Sequence, residues 1–158
     1  MMFSIIIPTF NNLEYLKLCI KSIKKNSFYD HELIFHINEG TDGTLEFVKN
    51  NNFKYSYSKK NSGVCVAFNE AVKLSNNKYI VLAHDDMYFC PKWDKVFAKE
   101  LSKIDDDKDF FLSGTMVQSF GSNLVLNCGK TYKDFNEKKL LNEVNDLIFH
   151  DFQGTHWQ

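Results

Sequence analysis

The sequence lacks the features that mark several common classes of protein. Its four cysteines form no C-x-x-C pair, so neither a zinc knuckle nor a thioredoxin-like motif is present. The formal net charge of −1 provides no basic field for nucleic acid. No apolar run approaches the roughly 20 residues that a membrane-spanning helix needs. These absences favour a cytoplasmic enzyme domain, with peripheral attachment to a membrane as an alternative location.

Glycine-rich phosphate loops are also missing. The turn after the first apolar run reads Pro8-Thr-Phe-Asn-Asn12 and contains no glycine, unlike the G-x-G-x-x-G turn of dinucleotide-binding oxidoreductases. The chain contains neither a P-loop nor the G-x-S-x-G motif of α/β-hydrolases. A bound phosphate would therefore be held by a metal ion and not by a glycine cradle.

Strand and helix patterns alternate along most of the chain. Short apolar runs predict strands at 3–8, 32–37, 53–57 and 79–83, and helical spacing predicts helices after Asn11 or Asn12 and at 44–51, 64–74 and 92–104. Either asparagine could cap the first helix. This alternation predicts an α/β fold in which a mainly parallel sheet is flanked by helices. From Phe110 onward the pattern is less regular, with extended segments at 110–119 and 123–127 and a helix at 137–147.

Two adjacent carboxylates, Asp85 and Asp86, directly follow the apolar run at 79–83. We expect this run to be a buried central strand that delivers both side chains to the carboxyl edge of the sheet, where ligands bind in open α/β folds. Neighbouring carboxylates repel each other unless a cation lies between them and an anionic ligand. The pair therefore suggests a nucleoside diphosphate bridged by a divalent metal. A solvated acidic turn before the next helix is the alternative.

Four motifs, in this order and at these spacings, resemble family 2 glycosyltransferases of the GT-A fold. They are Ser-Ile-Ile-Ile-Pro-Thr-Phe-Asn at 4–11, the segment 32–44 that ends in Gly-Thr-Asp-Gly-Thr, Asn-Ser-Gly at 61–63, and Ala-His-Asp-Asp-Met at 83–87. The similarity is dense from Phe3 to Pro91 and weaker to Gln158. The resemblance implies a Rossmann-like sheet and a nucleotide-sugar donor.

The resemblance also implies a metal site. Asp86 would be the direct ligand of a Mn²⁺ or Mg²⁺ ion in a DXD-like motif, and Asp85 would lie near the ribose or a metal-bound water. His84 stands where the first aspartate of the family motif often lies, and it is a further candidate ligand. His156, near the end of the chain, is another.

The expected nucleotide site draws on the first two strands. By resemblance, Thr9 and Phe10 line the base pocket, with the Phe10 ring stacking on the base. Asn38 stands where relatives carry an acid that accepts a hydrogen bond from uracil. Because an asparagine side chain both donates and accepts, the base is left open, with a UDP-sugar favoured.

The general base is not identified by the sequence. Family members that invert the anomeric centre use an Asp or Glu to deprotonate the acceptor hydroxyl. Asp151 is the fallback candidate, in a tail that resembles the segment just before the usual base. The 158 residues are therefore interpreted as one GT-A-like domain, with a nucleotide-sugar-binding half at 1–109 and a partial, truncated acceptor-side region at 110–158.

Three functions follow from these features. The first is metal-dependent, inverting transfer of a sugar from a nucleotide-diphosphate-sugar donor to a glycan, lipid or protein acceptor. The second is a non-catalytic nucleotide-binding or assembly module of the same fold. The third is a sugar-phosphate nucleotidyltransferase, which is disfavoured because the turn at 8–12 lacks the glycine-rich, basic loop that binds a triphosphate.

Overall fold

The computed structural model describes residues 1–104, 109–114, 116–119 and 124–147. The chain divides into two compact units, Met1–Phe110 and Phe111–Gln158. The assignment of donor and acceptor roles to two parts of the chain stays a prediction.

The first unit is an α/β layer structure. Its elements in chain order are β1 (Ser4–Phe10), α1 (Leu13–Asn26), β2 (Glu32–Asn38), α2 (Thr44–Asn50), β3 (Lys54–Ser58), α3 (Val64–Val72), β4 (Ile80–Leu82) and α4 (Trp93–Leu101). The strands form one parallel sheet in the order β3-β2-β1-β4. The predicted α/β class with a parallel sheet is therefore confirmed.

The centre of the sheet is formed by β1 and β2, which pair along their whole length from Ser4↔Glu32 to Phe10↔Asn38. The isoleucines at positions 5 to 7 of β1 are fully buried, as expected for a strand covered on both faces. Pro8 is tolerated because β1 pairs with β4 only as far as Ile6, so its missing N–H lies beyond the end of that ladder.

The strand before the acidic pair differs from its prediction. We expected a buried central strand at 79–83, but β4 contains only Ile80–Leu82 and lies at the edge of the described sheet. Leu82 is 51% exposed, whereas Ala83 is buried. An apolar run indicates a strand but carries no information about its neighbours, and the long β1–β2 pairing occupies the central place. The carboxyl end of β4 nevertheless lies at the expected edge of the sheet.

Helix α3 packs against the sheet through one face. Ala67 and Ala71 are buried, and Ala71 packs with Ile6 and Ile34 of the sheet. Val64, the first residue of the helix, is exposed.

The opposite, amino edge of the sheet is held together by Glu32. Its carboxylate accepts hydrogen bonds from Ser4 Oγ (2.5 Å) and from the Asn76 backbone and side-chain nitrogens (2.9 and 3.0 Å), and it pairs with Lys54. Burial alone would raise the pKa of Glu32, but these partners together hold it below its ordinary value. The contacts fix the starts of three strands relative to one another.

A buried aspartate anchors α4. Oδ2 of Asp94 accepts hydrogen bonds from the backbone N–H groups of Phe28 (2.7 Å) and Tyr29 (2.8 Å) and from His31 Nε2 (3.1 Å). The backbone N–H of Phe3 donates to His31 Nδ1 (3.2 Å), so the imidazole is neutral with its proton on Nε2. Burial lowers the pKa of His31 in spite of the nearby Asp94 carboxylate.

The second unit contains two short strands and one helix in its described part. The strands β5 (Val117–Gln118) and β6 (Leu124–Val125) are much shorter than the predicted extended segments, whereas α5 (Glu137–Leu147) has the predicted bounds. Among the helices of the described residues, none has the length and apolar character needed to cross a membrane.

Candidate functional site

The acidic pair lies in a tight turn at the carboxyl end of β4. The backbone N–H of Ala83 donates to the Ile6 carbonyl of β1 (3.0 Å), and the N–H of Met87 then closes a turn onto the His84 carbonyl (3.3 Å). Asp85 is half-buried in this turn and Asp86 is exposed. The two carboxylates therefore have different environments, although they are adjacent in sequence.

Asp85 carries a charge that its surroundings compensate only in part. Burial raises its pKa, and the neighbouring Asp86 raises it further. The Thr9 hydroxyl and the Asn12 amide act in the opposite direction, and Asn12 Nδ2 donates a hydrogen bond to Asp85 Oδ1 (3.0 Å). A pair of carboxylates in this state favours a cation beside it.

Thr9 contributes an unpartnered hydroxyl near the acidic pair. Its side chain is 3% exposed, and within the described ranges Oγ1 has no hydrogen-bond partner of good geometry. The hydroxyl is close enough to Asp85 to lower the pKa of the carboxyl, but it is not aligned to bond it. Buried polar groups are rarely left unpaired, so this one is available to a ligand.

The rim of the site contains residues in the left-handed backbone region. Asn11 (φ 46°) and Glu39 (φ 59°) follow β1 and β2, and both are non-glycine residues with positive φ, which cluster at functional sites. Asn11 Oδ1 accepts from the Thr41 N–H (2.8 Å), and Asn11 Nδ2 donates to Glu39 (3.4 Å). At Gly40 (φ 72°), a Cβ would approach Ile37 Cγ2 to 2.8 Å, so glycine is required there.

The first N–H group of α1 is bonded by a side chain that the sequence did not indicate. Asn12 occupies the N-cap position, as predicted, but its side chain makes no capping hydrogen bond. Instead, Asp42 Oδ2 accepts from the Leu13 N–H (2.8 Å), while Oδ1 accepts from the N–H and hydroxyl of Thr44 (3.1 and 2.6 Å). Burial would raise the pKa of Asp42, but these hydrogen bonds lower it below its ordinary value. The cap from a distant loop leaves Asn12 available for Asp85.

Two of the three residues expected at the base, Phe10 and Asn38, lie side by side on the sheet. Phe10 and Asn38 are register partners at the ends of β1 and β2, and the Phe10 side chain is 47% exposed. Asn38 is buried, and its Oδ1 accepts from both the N–H (2.8 Å) and the hydroxyl (2.9 Å) of Ser62. Because a backbone N–H can only donate, this contact fixes which side-chain atom of Asn38 is the oxygen. The contacts of Phe10 and Asn38 with a nucleotide base stay predictions.

The remaining candidate residues are less closely grouped. His84 is exposed, and its ring makes an edge contact with Phe68, with centroids 5.9 Å apart. His156 and Asp151 lie outside the described residues, so their roles stay predictions. In the described part of the chain, no three His, Cys, Asp or Glu side chains are grouped to hold a metal ion. The carboxylate oxygens of Asp85 and Asp86 are nonetheless the donors that Mg²⁺ and Mn²⁺ favour.

Comparison with known proteins identifies related sequences. The chain is 29% identical over 154 residues to chondroitin synthase of Pasteurella multocida. The aligned region covers 95% of this chain but only 15% of the synthase. It is 32% identical over 129 residues to an uncharacterized glycosyltransferase of Rickettsia conorii, covering 77% of this chain and 21% of that protein. The chain thus spans about a fifth or less of the length of these two curated relatives.

Solved structures give the same picture for the fold. The structure of residues 1–349 of TarS from S. aureus in complex with UDP-GlcNAc aligns with a TM-score of 0.59 and 27% identity. The alignment covers 65% of this chain and 32% of the TarS 1–349 chain. The mannosyltransferase PcManGT from Pyrobaculum calidifontis, in complex with GDP-Man and Mn²⁺, aligns with a TM-score of 0.50 over 60% of this chain. At 19% identity, this second likeness shows the fold alone.

The family model that matches is described as glycosyl transferase family 2, and it matches residues 4–153. This range includes the acidic turn and every motif on which the resemblance was based. The chain belongs to glycosyl transferase family 2.

Proposed function

We propose that the chain binds a nucleotide-diphosphate sugar at the carboxyl edge of its sheet and takes part in metal-dependent, inverting transfer of the sugar. The observation that carries the proposal is the acidic turn, where half-buried Asp85 adjoins exposed Asp86. The unpartnered Thr9 hydroxyl and the exposed Phe10 ring, both on β1, add groups suited to a nucleotide. Membership of the family supports the reaction class.

The acidic turn supplies the ligands for a divalent cation. Asp86 is proposed to hold the ion directly, because its carboxylate is exposed, while Asp85 faces the ribose or an ion-bound water. A cation bound here would supply Lewis-acid neutralisation of the leaving nucleoside diphosphate. Asn12 holds Asp85 through its 3.0 Å hydrogen bond and so orients that carboxylate. His84 and His156 are proposed only as additional ligands.

The nucleotide is proposed to be a uridine diphosphate, as in the TarS complex. The exposed Phe10 ring offers a face on which a base can stack. Asn38 could accept a hydrogen bond from uracil only by giving up one from Ser62, because its oxygen already accepts two. Stacking on Phe10 is therefore proposed to contribute more to base binding than hydrogen bonding to Asn38.

A product assay tests the reaction. The chain is incubated with a UDP-sugar, Mn²⁺ and a mixture of candidate acceptors, and the released phosphate compounds are separated. Release of UDP that depends on acceptor supports transfer. Pyrophosphate formed from a sugar phosphate and UTP would instead indicate nucleotidyl transfer. Binding of UDP without either product would contradict catalysis by this chain and favour a non-catalytic nucleotide-binding module of the same fold.

A further inference from the structure

We infer that Ser22 and Asn26, two buried polar residues of α1, are positioning residues that hold the acidic turn in place. The inference rests on the proposed donor site. It concerns the segment from His84 to Trp93, which leaves the sheet after β4 and leads into α4. Its backbone polar groups cannot be satisfied by a strand partner, so other groups must bond them.

Asn26 bonds the middle and the end of this segment. Its Nδ2 donates to the carbonyl of Phe89 (2.7 Å) and to the hydroxyl of Tyr88 (3.0 Å). Its own backbone carbonyl accepts from the N–H of Lys92 (2.8 Å). Asn26 thus contacts three residues of the segment from the last turn of α1.

Ser22, one turn earlier on α1, completes the attachment. Its hydroxyl donates to the Cys19 carbonyl (2.7 Å) and accepts from the N–H of Phe89 (3.0 Å). Both backbone polar groups of Phe89 are therefore bonded by α1 side chains. Cys19 adds a weaker contact, from Sγ to the His84 carbonyl (3.6 Å). Side chains of α1 therefore contact the segment from Phe89 back to His84, the residue just before the acidic pair.

These contacts act on the acidic turn because they fix both sides of it. On one side, Ala83 is bonded to β1, and on the other, Phe89 is bonded to Ser22 and Asn26. Asp85 itself is bonded to Asn12, immediately before α1. Strand β1, Asn12 and helix α1 therefore set the position of the pair together, and binding sites tolerate only about 0.5 Å of displacement.

The test compares Ser22→Ala and Asn26→Ala with Ser4→Ala. Ser4 is a matched control, since its hydroxyl is also fully buried and bonded, to Glu32 and Asn77, but at the amino edge of the sheet. Mn²⁺ binding is measured by electron paramagnetic resonance, and UDP binding at fixed Mn²⁺ by calorimetry, well below each variant's melting temperature. We expect Ser22→Ala and Asn26→Ala to weaken Mn²⁺-dependent binding about tenfold or more. Ser4→Ala should stay within about twofold of wild type, even if it is equally destabilised.

The outcomes separate the inference from the proposed function. If wild type binds Mn²⁺ and UDP while Ser22→Ala binds them as tightly, the inference is overturned and the donor site stands. If all three variants lose affinity in proportion to their loss of stability, the contacts are structural only and the inference is again overturned. If wild type binds neither, the proposed donor site itself fails. Should Asn26→Ala not fold, Ser22→Ala decides, because it removes a single hydroxyl.

Discussion

At the residue scale, the site depends on a difference between two adjacent carboxylates. The family resemblance assigns Asp85 and Asp86 different roles, and the fold makes Asp85 half-buried and Asp86 exposed. Burial and repulsion from Asp86 raise the pKa of Asp85, and the Thr9 hydroxyl and the Asn12 amide offset this rise only in part. Such a conflict lowers stability and is typical of binding and catalytic residues.

Removing the Asp85 charge should therefore stabilise the chain in the absence of metal. In EDTA at pH 7, we expect Asp85→Asn to raise the free energy of unfolding by about 0.5 kcal/mol or more. The Asn12 hydrogen bond can be retained by the new carboxamide oxygen. Because the folded pKa of Asp85 is raised, the gain is present when the carboxyl is charged and disappears as pH falls below its ordinary pKa of about 3.9.

Urea denaturation at pH 7 and at low pH checks this, with Asp109→Asn as the control for loss of an exposed carboxylate outside the acidic turn. A variant that is no more stable than wild type at pH 7 would show that the Asp85 charge is already well compensated.

Two buried histidines should make stability depend on pH. Burial lowers the pKa of both His31 and His36 below 6.5, so the folded state favours their neutral forms. The unfolded chain then binds more protons between the folded pKa values and about 6.5. The free energy of unfolding should fall as pH is lowered from about 7 into this window.

Replacing one histidine measures its contribution to the pH dependence of stability. The His36 side chain contacts Ser56 and Ser58. In His36→Gln, the slope of the free energy of unfolding against pH should be smaller than in wild type, whatever the change in absolute stability. Denaturation at several pH values measures the slope. An unchanged slope would mean that His36 is not kept neutral by the fold.

At the scale of elements, local patterns predicted which segments are helices and strands but not their long-range partners. The strand and helix order of the first unit followed from apolar spacing, and most bounds moved by one to three residues. The place of β4 was wrong because a run of apolar residues does not specify its neighbours. Asn12 was correctly predicted at the N-cap position of α1, but the hydrogen bond from Leu13 to Asp42 was missed because the two residues lie 29 positions apart in sequence. Ser22 and Asn26 were missed for the same reason, since their partners are more than 60 residues away.

Asp42 should be important for stability and Asn12 for ligand binding. We expect Asp42→Ala to lower the free energy of unfolding by about 1 to 2 kcal/mol, because the first N–H groups of α1 and α2 lose the carboxylate that accepts from them. Asn12→Ala should cost less, since its side chain caps no helix, but it should weaken Mn²⁺-dependent UDP binding.

Chemical denaturation and calorimetry on both variants measure the two effects, with exposed Asp109→Ala as a control for loss of a surface carboxylate. Equal losses of stability in the Asp42 and Asn12 variants would contradict the assignment of the cap to Asp42.

At the scale of the whole molecule, the first unit contains every described residue of the proposed donor site. Thr9, Phe10, Asn38 and the acidic turn all lie within Met1–Phe110. The sequence placed these residues at one edge of a sheet because parallel strands end together, and this prediction needed only the strand order to be broadly right. It could not assign a general base, and Asp151 lies outside the described residues.

Ligand binding should therefore slow hydrogen exchange in the first unit only. With Mn²⁺ and UDP, we expect backbone hydrogen exchange to slow at 84–89 and at the β1–α1 turn, because these segments border the site. Exchange in α5 of the second unit should be unchanged. Protection confined to α5, with none in the acidic turn, would place the nucleotide elsewhere.

The most direct test of the central claim is a thermal-shift titration with UDP in Mn²⁺, repeated in EDTA and on Asp86→Ala. A ligand that binds only the native state stabilises it by about 2.7 kcal/mol at a hundredfold excess over its dissociation constant. We predict a rise in melting temperature with UDP that requires the metal and is lost in Asp86→Ala. No shift with UDP, GDP, CDP or dTDP, or a shift that persists in Asp86→Ala, would contradict a donor site built on the acidic turn.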